Sequence, residues 1–365
     1  MSRTIKRIFR NILYRKDADA LLSRMDAPIW EITNIVIRDD SIDVEGWALP
    51  FRGSKFKSFT LNDESFDVII YPREDKGIGR HFWYVPDGHM SGFYCHSENL
   101  PKSFKEIGAM AFGCRHDEKL PSNQNYYAYY CLNERIPLPP AANRSRVHGS
   151  DNELSYLVQG YSAFVKLELA LQEQLGLQYK NFRRILDWGC GSGRVARYFG
   201  LERVDFTGVD IDEDNIAWCS QRLGFGHFQK IPLHPPTQLP DSSFDLLIGV
   251  SIFTHLGEKV QFEWLGELQR ISAKDAVLLM TIHGNNALCH VGRADTLALF
   301  ERSDGFLDMG ATDHLKGFVK DEGYYRTAYH STDYIMKHWS KFFEILRILP
   351  GYIGNNQDLV IMRKN

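Results

Sequence analysis

The stretch Ile185-Leu-Asp-Trp-Gly-Cys-Gly-Ser-Gly-Arg-Val195 constrains this chain more than any other. An apolar pair, Ile185 and Leu186, runs into a carboxylate, and glycines then alternate at 189, 191 and 193. A buried strand, a tight glycine turn and a helix over Arg194 to Phe199 form the unit with which open α/β sheets hold a nucleotide. The glycines let the backbone turn through positive φ and let a ligand approach closely. One unit downstream, Phe206-Thr-Gly-Val-Asp210-Ile-Asp212 reads as a second buried strand ending in acid. A carboxylate about 20 residues past the glycines can accept both hydroxyls of a ribose.

Two nucleotide readings compete at this loop. A dinucleotide site would carry G-x-G-x-x-G, with backbone amides on a pyrophosphate. Here the spacing is G-x-G-x-G, and Asp187 stands directly before it. A carboxylate that close repels a pyrophosphate and suits a ligand with an ammonium group. Adenosine joined to an amino acid is the profile of S-adenosylmethionine (SAM). Asp187, Gly189, Cys190, Gly191, Gly193, Asp210 and Ile211 are therefore candidate cofactor residues.

Further pieces extend the pattern: Ser243-Phe-Asp-Leu-Leu247, Ser251-Ile-Phe-Thr-His-Leu256, Phe262-Glu-Trp-Leu-Gly-Glu-Leu-Gln-Arg270 and Gln357-Asp-Leu-Val-Ile-Met-Arg363. With them, residues 143–365 resemble a class I SAM-dependent methyltransferase, in particular a bacterial subgroup found beside glycan-assembly enzymes. The resemblance implies a Rossmann-like seven-stranded sheet with an antiparallel last strand and SAM as cofactor. It places Ser251 at the carboxyl edge, and it implies a helix before the sheet that closes over the cofactor. Gly160 and Tyr161 are then candidate neighbours of SAM, with packing on the sheet the alternative for Tyr161. Family members often hold adenine with an acid after the third strand. Ile231 to Pro240 carries none, which leaves adenine to apolar and backbone contacts around Ile231-Pro232 or Gln238.

A chain of 365 residues is long for one domain, and two are expected. A net charge of −3 argues against nucleic acid as a partner. Six cysteines (95, 114, 131, 190, 219, 289) form no CxxC pair, which fits a reducing cytoplasm and offers no zinc site. No apolar run approaches the roughly 18 to 20 residues that span a bilayer. No signal peptide is expected from residues 1–16, which lack an apolar core region.

Four segments follow. Residues 1–25 form a basic amphipathic segment. Arg3, Lys6, Arg7, Arg10, Arg15 and Lys16 stand with no acid in residues 1–16, beside Ile5, Ile8, Phe9, Ile12 and Leu13 at helical spacing. Such a helix can lie on an anionic membrane face, here the inner one, or dock on protein. Residues 26–116 alternate apolar and polar residues in short runs, including Phe66 to Tyr71 and His81 to Val85, as a smaller all-β, sandwich-like domain does. Its Gly46-Trp47 step with Leu49-Pro50 resembles small β-domains on bacterial carbohydrate enzymes. Trp47, Trp83, Tyr84, Phe93 and Tyr94 either stack on sugar rings or, the favoured reading, fill a small core. Residues 117–149 read as an irregular linker around Pro137-Leu-Pro-Pro140, with Tyr126, Tyr127, Tyr129 and Tyr130 sealing a domain interface. Residues 150–365 form the methyltransferase domain. It opens on a capping box of Ser150 and Glu153, carries a substrate cap at 285–337, and ends on a hairpin turning at Pro350-Gly351.

Methyl transfer is an in-line displacement that needs an aligned acceptor and, for a hydroxyl, a base. No acidic cluster reads as a metal site. His330, His283 and His255 qualify as base by their positions after strands and by the near-neutral pKa of histidine. Each is equally suited to hold a loop, and His290 and His314 lie in the cap. The expected function is metal-independent O-methylation of a sugar or glycan intermediate. Another acceptor (amine, lipid or protein) and a non-catalytic SAM-fold scaffold in a membrane glycan-assembly complex are the alternatives.

Overall fold

The computed structural model describes residues 15–51, 56–116, 126–132, 136–202, 204–312, 321 and 323–365. Residues 1–14 of the basic segment and His314 lie outside them. Among the described residues no helix is long and apolar enough to cross a membrane.

The N-terminal region is β-rich. It contains β1 (Trp30–Arg38), β2 (Ser41–Ala48), β3 (Phe56–Leu61), β4 (Glu64–Ser65), β5 (Val68–Arg73), β6 (Gly92–Ser97), β7 (Ala109–His116) and β8 (Tyr127–Cys131). They pair as two antiparallel sheets, β1-β2-β6-β5 and β4-β3-β7-β8. Alternation decides the facing: Ile42 and Val44 of β2 turn inward, while Asp43 and Glu45 are half-buried on the other face. Both sheets contribute to one apolar cluster, in which the Phe59 and Phe93 rings lie 4.6 Å apart and Phe93 stacks on Phe112 at 5.6 Å. Trp47, Tyr84 and Phe93 are core residues; Trp83 donates to Gly292 O at 2.8 Å and Tyr94 to Asp43 at 2.7 Å.

Two expectations fail here. His81 to Val85 is not a strand. Asp75 caps a short helix, Lys76–His81, by accepting from Ile78 N, and Phe82, Tyr84 and Val85 then bury in successive turns. The tyrosines at 127, 129 and 130 are not in a linker but on β8, an edge strand of the second sheet.

The C-terminal part is a mixed sheet of seven strands: β9 (Arg184–Trp188), β10 (Asp205–Asp210), β11 (His227–Lys230), β12 (Phe244–Gly249), β13 (Ser272–His283), β16 (Glu344–Ile353) and β17 (Gln357–Arg363). Its order is β11-β10-β9-β12-β13-β17-β16. The strands β9 to β13 run parallel, and β17 is antiparallel to β13 and β16. Strands such as Phe244–Gly249 are buried on both faces, which is why they read as unbroken apolar runs. The chain order reverses between β9 and β12, and that switch point opens a crevice at the carboxyl edge. The last turn lies at Gly354-Asn355-Asn356, where Gly354 and Asn355 have φ of 62° and 54°, and not at Pro350-Gly351, which sits within β16 at a register shift.

Two helices precede the sheet. Ala141–His148 has Pro140 at its N-cap and Gly149 at φ 76° closing it, so part of the expected linker is helical. Glu153–Leu175 is capped by Asn152, whose side chain accepts from Ser155 N, rather than by Ser150. After the glycine loop, where a helix was expected over Arg194 to Phe199, the chain forms turns and then a 3-10 helix, Ala196–Leu201.

The expected cap divides in two. Its helices Asn285–Val291 and Ala294–Arg302 pack Ala287, Leu288, Leu297 and Phe300 on Leu21, Ile29, Leu49 and Phe51, so they join the N-terminal region to the sheet. The β14 (Phe306–Ala311) and β15 (Arg326–His330) strands pair as a hairpin, and among the described cap residues Thr312, Tyr324, Tyr325 and Thr327, in or beside it, line the crevice. At the seam Asn286 is fully buried. Its Oδ1 accepts from Asp26 N and Ala27 N at 3.1 and 3.0 Å, and its Nδ2 donates to Asn355 O at 2.6 Å. Asn286→Ala strands the buried Ala27 N and the half-buried Asp26 N, a buried donor costing about 1–3 kcal/mol when unsatisfied. Urea unfolding is expected to show a loss of about 3 kcal/mol, against little change for the exposed control Leu299→Ala.

Candidate active site

Strand β9 delivers Asp187 to the crevice, 3% exposed. The glycine loop then bends back on the neighbouring strand: Gly189 N and Cys190 N both donate to Val209 O, at 2.8 and 3.0 Å. Gly189, Gly191 and Gly193 take φ of 78°, 53° and 80°, a region closed to most side chains. A Cβ on Gly191 would sit 2.7 Å from Val147, so the loop also needs glycine to pass beneath the Ala141–His148 helix. From β10, Asp210 accepts from Gly191 N at 2.7 Å and from Asp212 N at 2.8 Å. Asp212 pairs with Arg146 at 2.7 Å, which ties the same helix to the loop after β10.

These elements enclose a cleft of about 560 Å³. Asp187, Gly189, Cys190, Gly191, Asp210, Ile211 and Ser251 line it. Gly193 does not: its N donates to Cys190 O at 3.0 Å, and a Cβ there would meet Leu223 at 2.7 Å, so it serves the turn and its packing. Tyr161 lies away from the cleft, stacked on Phe164 and 4.9 Å from Tyr198 in the core. Gly160 packs under Arg194 O, which a Cβ would approach to 2.4 Å. Ile231 reaches the cleft; Gln238 does not.

The carboxylates are unusual. Burial, reinforced by Asp210, pushes Asp187 up to about 7, and no described residue forms an ion pair with it. Burial raises Asp210 to about 6 against the pull of its backbone donors. A buried acid facing the cleft, with Arg194 on the same wall but in no ion pair with it, fits a ligand bearing an ammonium, and Asp210 retains lone pairs for ribose hydroxyls.

The three histidines separate. His330 is 1% exposed and lies outside the cleft. Its Nε2 donates to Gln261 Oε1 at 2.9 Å, and Gln261 in turn holds Phe253 O and Leu256 O. Burial lowers it to about 3, so it orients the loop after β12 and does not serve as a base. His283 likewise does not line the cleft; burial, with His255 and His330 nearby, lowers it to about 3. His255 does line the cleft, stacked on Tyr325 at 4.2 Å, with Nδ1 3.0 Å from Arg326 O. That carbonyl accepts, so the proton sits on Nδ1.

The sequence reading missed Arg146, His148, Gln159, Arg194, Tyr325 and Gln357, all on the cleft wall. The helix carrying the first two had a signal in Pro140 just before it and Gly149 just past it. Arg194 follows the glycine loop directly; Gln159, Tyr325 and Gln357 arrive from distant segments and carry no local signal.

Comparison with known proteins agrees with this geometry. Residues 186–280 match the family model described as Methyltransferase domain. Those residues are similar to a methyltransferase domain, and the sheet around them has the class I SAM-dependent methyltransferase fold. SAM is its cofactor, and Asp187, Asp210 and the glycine loop are the groups that would hold it. A human protein named "Arginine-hydroxylase NDUFAF5, mitochondrial" is 26% identical over 199 residues, 48% of this chain and 52% of that protein. The chain thus spans about half the length of this curated relative. Among solved structures, a Pyrococcus horikoshii OT3 protein is similar at TM-score 0.39 and 17% identity, covering 56% of this chain and 91% of its own. A SAM-dependent methyltransferase of Methanosarcina mazei is similar at TM-score 0.38 and 21% identity, covering 50% and 92%.

The raised Asp187 sets a pH dependence. The native state favours its protonated form, so its contribution to the ligand-free fold is full below about 4 and is lost as pH rises through about 7. An ammonium ligand selects the ionised form and has the opposite slope. S-adenosylhomocysteine (SAH) is expected to bind about tenfold more weakly at pH 6 than at pH 8, with proton release below pH 7. Calorimetry in buffers of different ionisation heat reads both, and Asp187→Asn is expected to flatten the profile.

Proposed function

We propose that this protein transfers a methyl group from SAM to a hydroxyl oxygen of a sugar or glycan intermediate. The observation that carries the methyltransferase part is the pair of carboxylates at the cleft, the buried Asp187 and the half-buried Asp210, on either side of the glycine loop. A SAM held by Asp187, Asp210 and the glycine loop would supply an electrophilic methyl carbon on a sulfonium. The chain's own work is alignment, exclusion of water and removal of the hydroxyl proton. Arg194 and Gln159, 3.2 Å apart, fix one wall, and Tyr325 with His255 forms another. His255 is the proton acceptor in this reading, since it alone of the three candidate histidines lines the cleft. His330 and Gln261 are positioning residues for the turn that presents it. Contact of residues 1–16 with an anionic membrane face remains part of the reading, supported by their six basic side chains.

Two measurements test it. Calorimetric titration of SAH is expected to give binding that falls at least tenfold in Asp210→Ala. His255→Ala is expected to lower kcat by about 10²–10⁴ with little change in SAH affinity. His330→Ala, by contrast, is expected to lower Tm and to leave a normal pH–rate profile in the folded fraction. Unchanged turnover in His255→Ala would remove the base. Hydroxylation, the chemistry in the human relative's name, is the rival: a product gaining oxygen rather than a methyl group would select it.

A further inference from the structure

A second cavity, of about 260 Å³, adjoins the cofactor cleft. The two share Gln159, Arg194, Val250, Ser251 and Gln357 as wall, so they meet at the end of β12. Ser251 marks the junction in a left-handed conformation, φ 63°, that non-glycine residues rarely adopt. Its N–H donates to Thr281 Oγ1 at 2.7 Å, and its Oγ accepts from Gln357 Nε2 at 2.5 Å. The far wall comes from the N-terminal region, with Trp30 and Ile32 of β1 giving apolar surface.

The polar lining of this cavity is incomplete. Asn355 Oδ1, Asn356 Oδ1 and Gln357 Oε1 are buried and have no hydrogen-bond partner. The Asn355 orientation is set by its neighbour, because its Nδ2 donates to the Trp30 carbonyl, which can only accept, at 3.4 Å. Lys166, on the helix Glu153–Leu175, is 2% exposed and lines the same cavity. Burial alone, with no partner contributing, lowers its ammonium to about 7. Unsatisfied groups of this kind are costly and are rare unless a ligand completes them. Three carbonyl oxygens ask for hydrogen-bond donors and disfavour an anion. Lys166 asks for an acceptor and, with Arg194 on the same wall, disfavours a cation; among the described residues Glu31, exposed, is the one carboxylate in the wall. A ligand that donates and accepts without net charge meets both demands, and a ring of hydroxyls does so in a small volume.

We propose that this cavity is the acceptor site, and that it takes an uncharged, hydroxyl-rich sugar ring whose hydroxyls donate to Asn355, Asn356 and Gln357 and accept from Lys166. The N-terminal β-region is then part of the acceptor site and not a separate carbohydrate module. This inference rests on the methyltransferase reading, and the test separates the two.

The full-length protein is first titrated with SAH. The SAH-loaded protein is then probed by saturation-transfer NMR with methyl glycosides of glucose, galactose, mannose, fucose and rhamnose, and with glucuronate and glucosamine as charged controls. Binding of at least one neutral glycoside, about tenfold weaker in Lys166→Met and several-fold weaker in Asn356→Ala with SAH affinity unchanged, is the expected result. Lys166→Met keeps the stem and removes an unpaired buried ammonium, so its Tm is expected to rise, which guards against loss by unfolding. SAH binding without any neutral glycoside, binding of the charged sugars only, or binding that ignores both variants would overturn the cavity's assignment and leave the methyltransferase reading intact. Absence of SAH binding in the folded protein would remove both.

Discussion

The hydrogen bond from Gly191 N to the Asp210 carboxylate is the contact on which the site depends. It joins the turn after β9 to the end of β10, so the two neighbouring crossovers cannot move apart. The bond is possible only because Gly191 takes positive φ and carries no Cβ against Val147. It also draws Asp212 to where Arg146 can pair with it, and so seats the Ala141–His148 helix over the loop. Fixing one backbone donor therefore sets the floor, one wall and the ribose-facing acid of the cleft. The cost is two carboxylates held in low dielectric, about 7 and about 6 in pKa, which a cationic cofactor offsets and water does not.

The parts of this arrangement that were legible in the sequence are those encoded locally. Glycines at 189, 191 and 193, the strand runs into Asp187 and Asp210, and the apolar run Phe244 to Val250 each carry their geometry in adjacent residues. The segments misread are those where two local signals conflicted. Pro137-Leu-Pro-Pro140 looks like a linker, yet Pro140 stands at the start of a helix whose end Gly149 marks. His81 to Val85 is rich in aromatics, as a strand would be, but Asp75 with its cap on Ile78 N decides for a helical turn before it. Facing was harder still. Nothing in the spacing of His255, His283 and His330 tells which points into the cleft. That depends on how β15 lies on the loop after β12, a contact between residues some seventy positions apart.

The histidines also illustrate how burial sorts similar residues into different roles. His330 is held by Gln261, and His283 is crowded by His255 and His330; both are lowered to about 3 and stay neutral at any working pH. A base that weak gains little by taking a proton in the transition state. Their value is positional: Gln261 clamps two carbonyls of the turn that ends at His255, and His330 clamps Gln261. The aromatic and amide packing behind the cleft thereby fixes His255, the one of these three imidazoles that faces it.

The N-terminal region enters the same argument through its seam with the sheet. A freely tethered β-module would meet the methyltransferase core through a small polar contact. Here the join is a continuous apolar cluster from Leu21 and Phe51 to Leu288 and Phe300, pinned by the fully buried Asn286. That rigidity has a consequence at the turn after β16. Asn286 holds Asn355 O and the Asn355 amide reaches Trp30 O, so the strand turn that carries Asn355, Asn356 and Gln357 is braced by β1 as well as by its own sheet. Through Gln357 the bracing extends to Ser251 and its strained backbone at the mouth of the cofactor cleft. Strain of that kind persists only where the surroundings over-determine it, and here they do so from both halves of the molecule. The β-region is thus coupled to the end of β12 by three consecutive residues, and its removal would release the junction between the two cavities even with the sheet intact.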